Sequence, residues 1–143
     1  MMRGLTLIEV LVYMTLLSLL LVGTHTMSSA IATAAQRTHV ETQILSEGIF
    51  ISNLIKNSAA QSPVSHVEHD SLALSDGRVF RQTDGVLWYE YEDTAQQLTF
   101  PPVTLSVFES TVVSSTTTPT HMEVRFTLSA HGIDRSFTSL LYL

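Results

Sequence analysis

Glu9 is a carboxylate set inside an otherwise apolar run, LTLIEVLVYMTLLSLLLV, that begins at Leu5 and ends at Val22. Within that run only Thr6, Glu9, Thr15 and Ser18 are neither aliphatic nor aromatic. The run is about the shortest that crosses a bilayer as a helix, roughly 17–25 residues. An ionised side chain near the bilayer centre costs roughly 2.5–3.5 kcal/mol on insertion scales. Such an acid is a functional residue by default, and its partner has to be sought. On a helix, positions four apart share a face, so position 5 lies on the Glu9 side. A negative charge one turn from the helix start is also favoured by the macrodipole.

Other residues with chemical capacity do not assemble into a comparable pattern. Among six histidines, His66 and His69 are three apart in the extended segment VSHVEH, where they point to opposite faces. There is no Cys, which removes disulfides and thiolate metal ligands, and no third ligand sits at zinc-like spacing. Asp70, Asp76 and Asp84 lack the alternating oxygen ligands of a calcium loop, and two of them precede Gly in turns. Neither a metal nor a cofactor is expected. No nucleophile–base order, phosphate loop or paired catalytic acid stands out, so an enzyme is not expected. Trp88, Tyr89 and Tyr91 crowd one strand, where alternate members face the core and at most one or two remain for a partner.

Charge narrows the partners. Up to residue 59 the chain is neutral, whereas residues 60–143 set four arginines against ten acids and account for the net charge of −6. An acidic head without Lys is a poor ligand for nucleic-acid phosphates. Solubility is the plainer role of that charge.

Helical periodicity continues beyond the apolar run. Val40, Ile44, Gly48, Ile51 and Ile55 form one stripe, with Arg37, Glu41, Glu47 and Lys56 on other faces. A single helix from Leu5 to Ser58 is predicted, on the order of 80 Å long. Gly23 and Gly48 are expected to be its weak points, at about 1 kcal/mol each relative to Ala. After Pro63 the pattern becomes that of strands, at 72–74, 79–83, 86–91, 103–108, 121–130 and 133–142. Asp76-Gly77, Asp84-Gly85 and His131-Gly132 serve as hairpin turns. The run Ser114–Pro119 and the pair Pro101–Pro102 read as connections. The fold class is therefore α+β: a long amino-terminal helix, its first half transmembrane, with its distal half packed on a small antiparallel β-sheet.

The motif GLTLIEVLV, residues 4–12, resembles the prepilin processing site of type IV pilins and type II secretion pseudopilins. The resemblance implies cleavage between Gly4 and Leu5 by a prepilin peptidase, followed by N-methylation of Leu5. Glu9, with Thr6 beside it, is then the assembly residue, meeting the terminal amine of a neighbouring subunit. It further implies a leader at 1–4, a transmembrane helix at 5–23, its extracytoplasmic continuation at 24–59 and a β head domain at 60–143. The implied partners are other pilin or pseudopilin subunits, the inner-membrane assembly platform and lipid. The implied location is the bacterial inner membrane, with the head outside the cytoplasm, and then a filament.

Departures from the commonest family pattern are Leu5 in place of Phe, a leader with Arg3 as its one basic residue, no Pro at 22–26 and no Cys. Absence of the disulfide and of the Pro favours a minor subunit over a major pilin. Two other readings compete. An ordinary signal peptide cut near Ala30 or Ala32 does not account for Glu9, and the helical pattern runs on past that point. A monomeric membrane-anchored adhesin or ligand-binding module would need neither processing nor Glu9.

Overall fold

The computed structural model describes residues 6–68, 70–113 and 120–142. One helix, α1 (Leu7–Gln61), is followed by eight strands: β1 (Val64–Glu68), β2 (Ser71–Leu74), β3 (Val79–Thr83), β4 (Val86–Tyr91), β5 (Thr94–Gln97), β6 (Thr104–Val113), β7 (His121–Ala130) and β8 (Ile133–Tyr142). The chain divides into two units, Met1–His39 and Val40–Leu143. In the first, every described residue is exposed helix or its immediate start. The second carries the core.

Within the second unit, the buried positions of α1 are Val40, Ile44, Gly48, Ile51, Ile55 and Ser58. These are the periodic stripe of the sequence with one further turn. The helix runs three residues past the expected Ser58, because Ala59 and Ala60 are strong helix formers and the first breaker is Pro63. Ile44, Ile51 and Ile55 are fully buried, each worth about 1.5–3 kcal/mol relative to exposure.

The strands form two antiparallel sheets rather than one. β1–β5 make a five-stranded meander, and β6–β8 make a three-stranded sheet. The two are joined where Leu105 N–H donates to Gly85 C=O at 2.7 Å. β7 alternates as its sequence demands: Met122, Val124, Phe126, Leu128 and Ala130 are buried, and the intervening side chains face away. Asp84–Gly85 and His131–Gly132 close two-residue hairpins with both residues at positive φ, the twist that antiparallel strands favour. β5 escaped sequence reading because TAQQ has no apolar alternation, and its turn at Glu92–Asp93 contains no Gly.

Gly48 is not a weak point of the helix, contrary to expectation. A Cβ built there would clash with the far end of the Phe137 ring on β8, so the missing side chain is what lets helix and strand approach. Phe137 in turn stacks on Phe126, with centroids 5.2 Å apart and planes 16° apart. One turn on, Ser52 and the fully buried Ser139 share a hydrogen bond of 2.6 Å. Glu41 and Arg135 pair at 3.6 Å across the same seam. Gly23, by contrast, has open space around it, and α1 passes through it unbroken.

A further polar contact extends the five-stranded sheet past the end of β5. The buried Leu87 N–H donates to Thr99 Oγ1 at 3.1 Å, beside Leu98 N–H bonded to Leu87 C=O at 2.8 Å. Thr99→Val keeps the shape and removes the acceptor, leaving a buried N–H unsatisfied. Chemical denaturation of this variant is expected to show a loss of about 1–3 kcal/mol, with Thr99→Ser close to wild type. Equal stability of Thr99→Val and wild type would refute the assignment.

Candidate functional site

Thr6 lies just ahead of α1, and its carbonyl accepts the first two helical bonds, from Glu9 N–H at 3.0 Å and Val10 N–H at 3.2 Å. Thr6 is thus the cap residue, and Glu9 occupies the third helical position, within the first turn. There the leading N–H groups have no partner inside the helix and the dipole is positive, so a carboxylate is stabilised where it stands. Thr6 and Glu9 have the Thr-x-x-Glu spacing of a capping box. That spacing was legible in the sequence and is a separate reason for this residue pair. Gly4 and Leu5 lie outside the described residues.

The remaining polar groups of the apolar segment are satisfied by the helix itself. Thr15 Oγ1 donates to Val12 C=O and Ser18 Oγ to Thr15 C=O, each at 2.8 Å. Thr24 Oγ1 reaches the carbonyls of Leu20 and Leu21, each at 3.0 Å. Such back-bonding hides a hydroxyl from an apolar surrounding. The Glu9 carboxylate has no side-chain partner among the described residues. Tyr13, four residues on and 58% exposed, shares its face.

Around these groups the helix is bare. Leu7 is 84% exposed and Ile8 73%, and Leu16 to Val22 are exposed throughout, the polar Ser18 included. The helix is long and apolar enough to cross a membrane, and none of its apolar window is buried within the chain. Contiguous apolar surface of this extent requires lipid or other helices.

The other sequence candidates are placed apart from this site. His25 and His39 are exposed on α1. His66 Nε2 lies 3.2 Å from Glu68 Oε1 on exposed β1, and His69 is outside the described residues. Asp76 is engaged in its turn, accepting from Arg78 N–H at 3.2 Å and pairing with Arg78 Nε at 3.0 Å. Among the described residues no three His, Asp or Glu side chains are grouped to hold a metal. On β4, Leu87 and Tyr89 face the core while Trp88 turns outward beside Arg81, Glu90 and Ala95 over a shallow depression. The Ser114–Pro119 connection is also outside the described residues.

No curated protein and no solved structure matches the chain. Residues 1–24 match the family model of the prokaryotic N-terminal methylation motif. That match spans the segment in which Thr6 caps the helix and Glu9 projects from its first turn. Together with the helix-on-sheets architecture, it supports a type IV pilin-like protein with a prepilin-type amino terminus.

Proposed function

We propose that the chain is a minor pilin or pseudopilin, a structural subunit of a filament of the type IV pilus, type II secretion or competence kind. A prepilin peptidase removes residues 1–4, Leu5 becomes the N-methylated terminus, and the helix then enters a filament of sister subunits through the inner-membrane assembly platform. Before assembly the helix lies in the bacterial inner membrane with the head outside the cytoplasm. The motif's family is structural, and no catalytic role is assigned to any residue.

One observation carries this reading: a methylation motif coincides with the bare apolar segment of α1, whose single carboxylate sits in the first helical turn. Cleavage after Gly4 would put an amine four residues from Glu9, on the same helix face. In a filament the carboxylate would meet the amine of a neighbour. A pair of buried charges is satisfied only in the correct stacking, as buried polar groups set register in coiled coils. The Thr6 carbonyl, which accepts the first two helical bonds, would order the helix start.

The test is intact mass and terminal sequencing of protein taken from native membranes. A chain beginning at Leu5 with one added methyl group is expected. An intact Met1 would favour the membrane-anchored binding module, and a terminus beyond Ala30 would favour an ordinary signal peptide. Either result overturns the filament reading.

A further inference from the structure

From Leu7 to Val22 the residues of α1 that carry a hydroxyl or carboxyl group are Glu9, Tyr13, Thr15 and Ser18. Thr15 and Ser18 bond back to helix carbonyls, which short side chains can reach. The Tyr13 ring carries its hydroxyl clear of the backbone. Two groups are therefore left over, an acceptor at Glu9 and a donor at Tyr13, and neither has a side-chain partner among the described residues.

Their placement is complementary. Glu9 and Tyr13 share one helix face a turn apart, with Cβ atoms about 5–6 Å from each other. Side chains on a helix lean toward its amino terminus, so the Tyr13 ring covers the turn that carries Glu9. The other position one turn after Glu9 is the apolar Val12, and Thr6 stands ahead of the helix as its cap. Tyr13 is 58% exposed, so its ring can turn without displacing a packed neighbour. Tyrosines of membrane helices gather at the interfaces, where the hydroxyl meets water. Tyr13 instead stands midway along the apolar run Leu5–Val22, roughly 12 Å from its start. Hydrocarbon offers it no partner there.

We propose that Tyr13 is the partner of Glu9 within its own helix: in lipid its phenol O–H donates to the acid, and it keeps that bond when a neighbour's amine arrives. A carboxylate has room for both, since its two oxygens offer about four acceptor positions. A neutral carboxyl accepts through its carbonyl oxygen, so the bond does not depend on protonation. In lipid it offsets part of the cost of an acid in an apolar helix. In a filament it would fill an acceptor position that the amine leaves open, the condition on which a buried ion pair repays its desolvation. Tyr13 is on this account a positioning residue that acts through Glu9. The bond in lipid rests on the apolar segment lying in a membrane, and its part in assembly rests on the filament reading proposed above.

Solid-state NMR tests the bond on the full chain in vesicles of phosphatidylethanolamine and phosphatidylglycerol, with carbon-13 in the glutamate carboxyl groups and tyrosine rings. A close contact is expected between a carboxyl carbon and a hydroxyl-bearing ring carbon, and both Glu9→Ala and Tyr13→Phe should abolish it. Contacts of the head, where Tyr89 and Tyr91 flank Glu90, should persist in both variants. The Glu9 carboxyl resonance should also move in Tyr13→Phe, which removes the hydroxyl alone. In filaments, Tyr13→Phe is expected to enter roughly 3–10-fold less well than wild type, the worth of one hydrogen bond in a membrane. Phe is the more apolar residue, so poorer insertion cannot account for such a drop.

Absence of a contact that both variants abolish would overturn the proposal, whatever the chain's amino terminus. A contact accompanied by unchanged filament entry of Tyr13→Phe would overturn the part in assembly. A chain that shows the contact and yet keeps Met1 would support the pair in lipid and overturn the filament reading instead, so the two failures are told apart.

Discussion

Replacing Glu9 with Ala should reduce entry into filaments by roughly 10²–10³-fold, while leaving the protein in the membrane and its head folded. On the proposed pairing, the size follows from stranding a neighbour's buried amine, which would cost about 3–5 kcal/mol, as when one partner of a buried pair is removed. The sign of the accompanying effect makes the experiment decisive. Removing an ionised group from an apolar helix eases membrane insertion, by an amount of the order of 2.5–3.5 kcal/mol at the bilayer centre. Reduced filament entry therefore cannot be charged to poor insertion. Glu9→Gln, which keeps hydrogen-bonding atoms at the same distance but no charge, should fall between wild type and Ala. The measurement is the ratio of subunit in sheared filaments to subunit in membranes, with cleavage at Gly4–Leu5 followed in parallel. If Glu9→Ala enters filaments as wild type does, the assembly role of the carboxylate is lost.

The second large effect lies in the seam between α1 and β8. Helix propensity alone says that Gly48→Ala should stabilise an exposed helix by about 1 kcal/mol. The packing says the reverse. The new Cβ would occupy the space of the Phe137 ring, and that ring cannot move inward because it stacks on the fully buried Phe126. It must swing out, and Ser52–Ser139 and Glu41–Arg135 on either side must adjust with it. A net loss of about 1–3 kcal/mol is expected, the usual cost of overpacking. Thermal or denaturant unfolding of the full chain measures it. Combining Gly48→Ala with Phe137→Ala should recover part of the loss, so the two changes should be strongly non-additive. A Gly48→Ala protein more stable than wild type would show that the close approach contributes nothing.

The contrast between the two glycines shows how sequence and fold divide the information. Gly23 and Gly48 look alike in a helical pattern, and propensity assigns them the same cost. One stands in open space and the other receives an aromatic ring from a strand almost ninety positions later, a contact with no local signature. Sheet number belongs to the same class. Each strand from β2 to β4 and from β6 to β8 is visible as an apolar alternation or a turn dipeptide. Whether consecutive hairpins continue one sheet or start another depends on which strand edges meet, and here β6 pairs with β7 and not with β5. β5 is invisible because an edge strand with both faces wet needs no apolar residues.

By itself the sequence determined the amino-terminal methylation motif and the apolar helix that follows it, the stripe Val40–Ile55, the alternating β7 and the turns at Asp84–Gly85 and His131–Gly132. All of these are local: they depend on residue type at spacings of four or fewer, which backbone geometry converts directly into a face, a cap or a turn. Tertiary structure alone decided that Gly48 is a contact, that Thr99 completes a ladder and that there are two sheets. Those depend on which distant segments meet, and packing at close range is settled by shape across the whole core, which no short window of sequence contains.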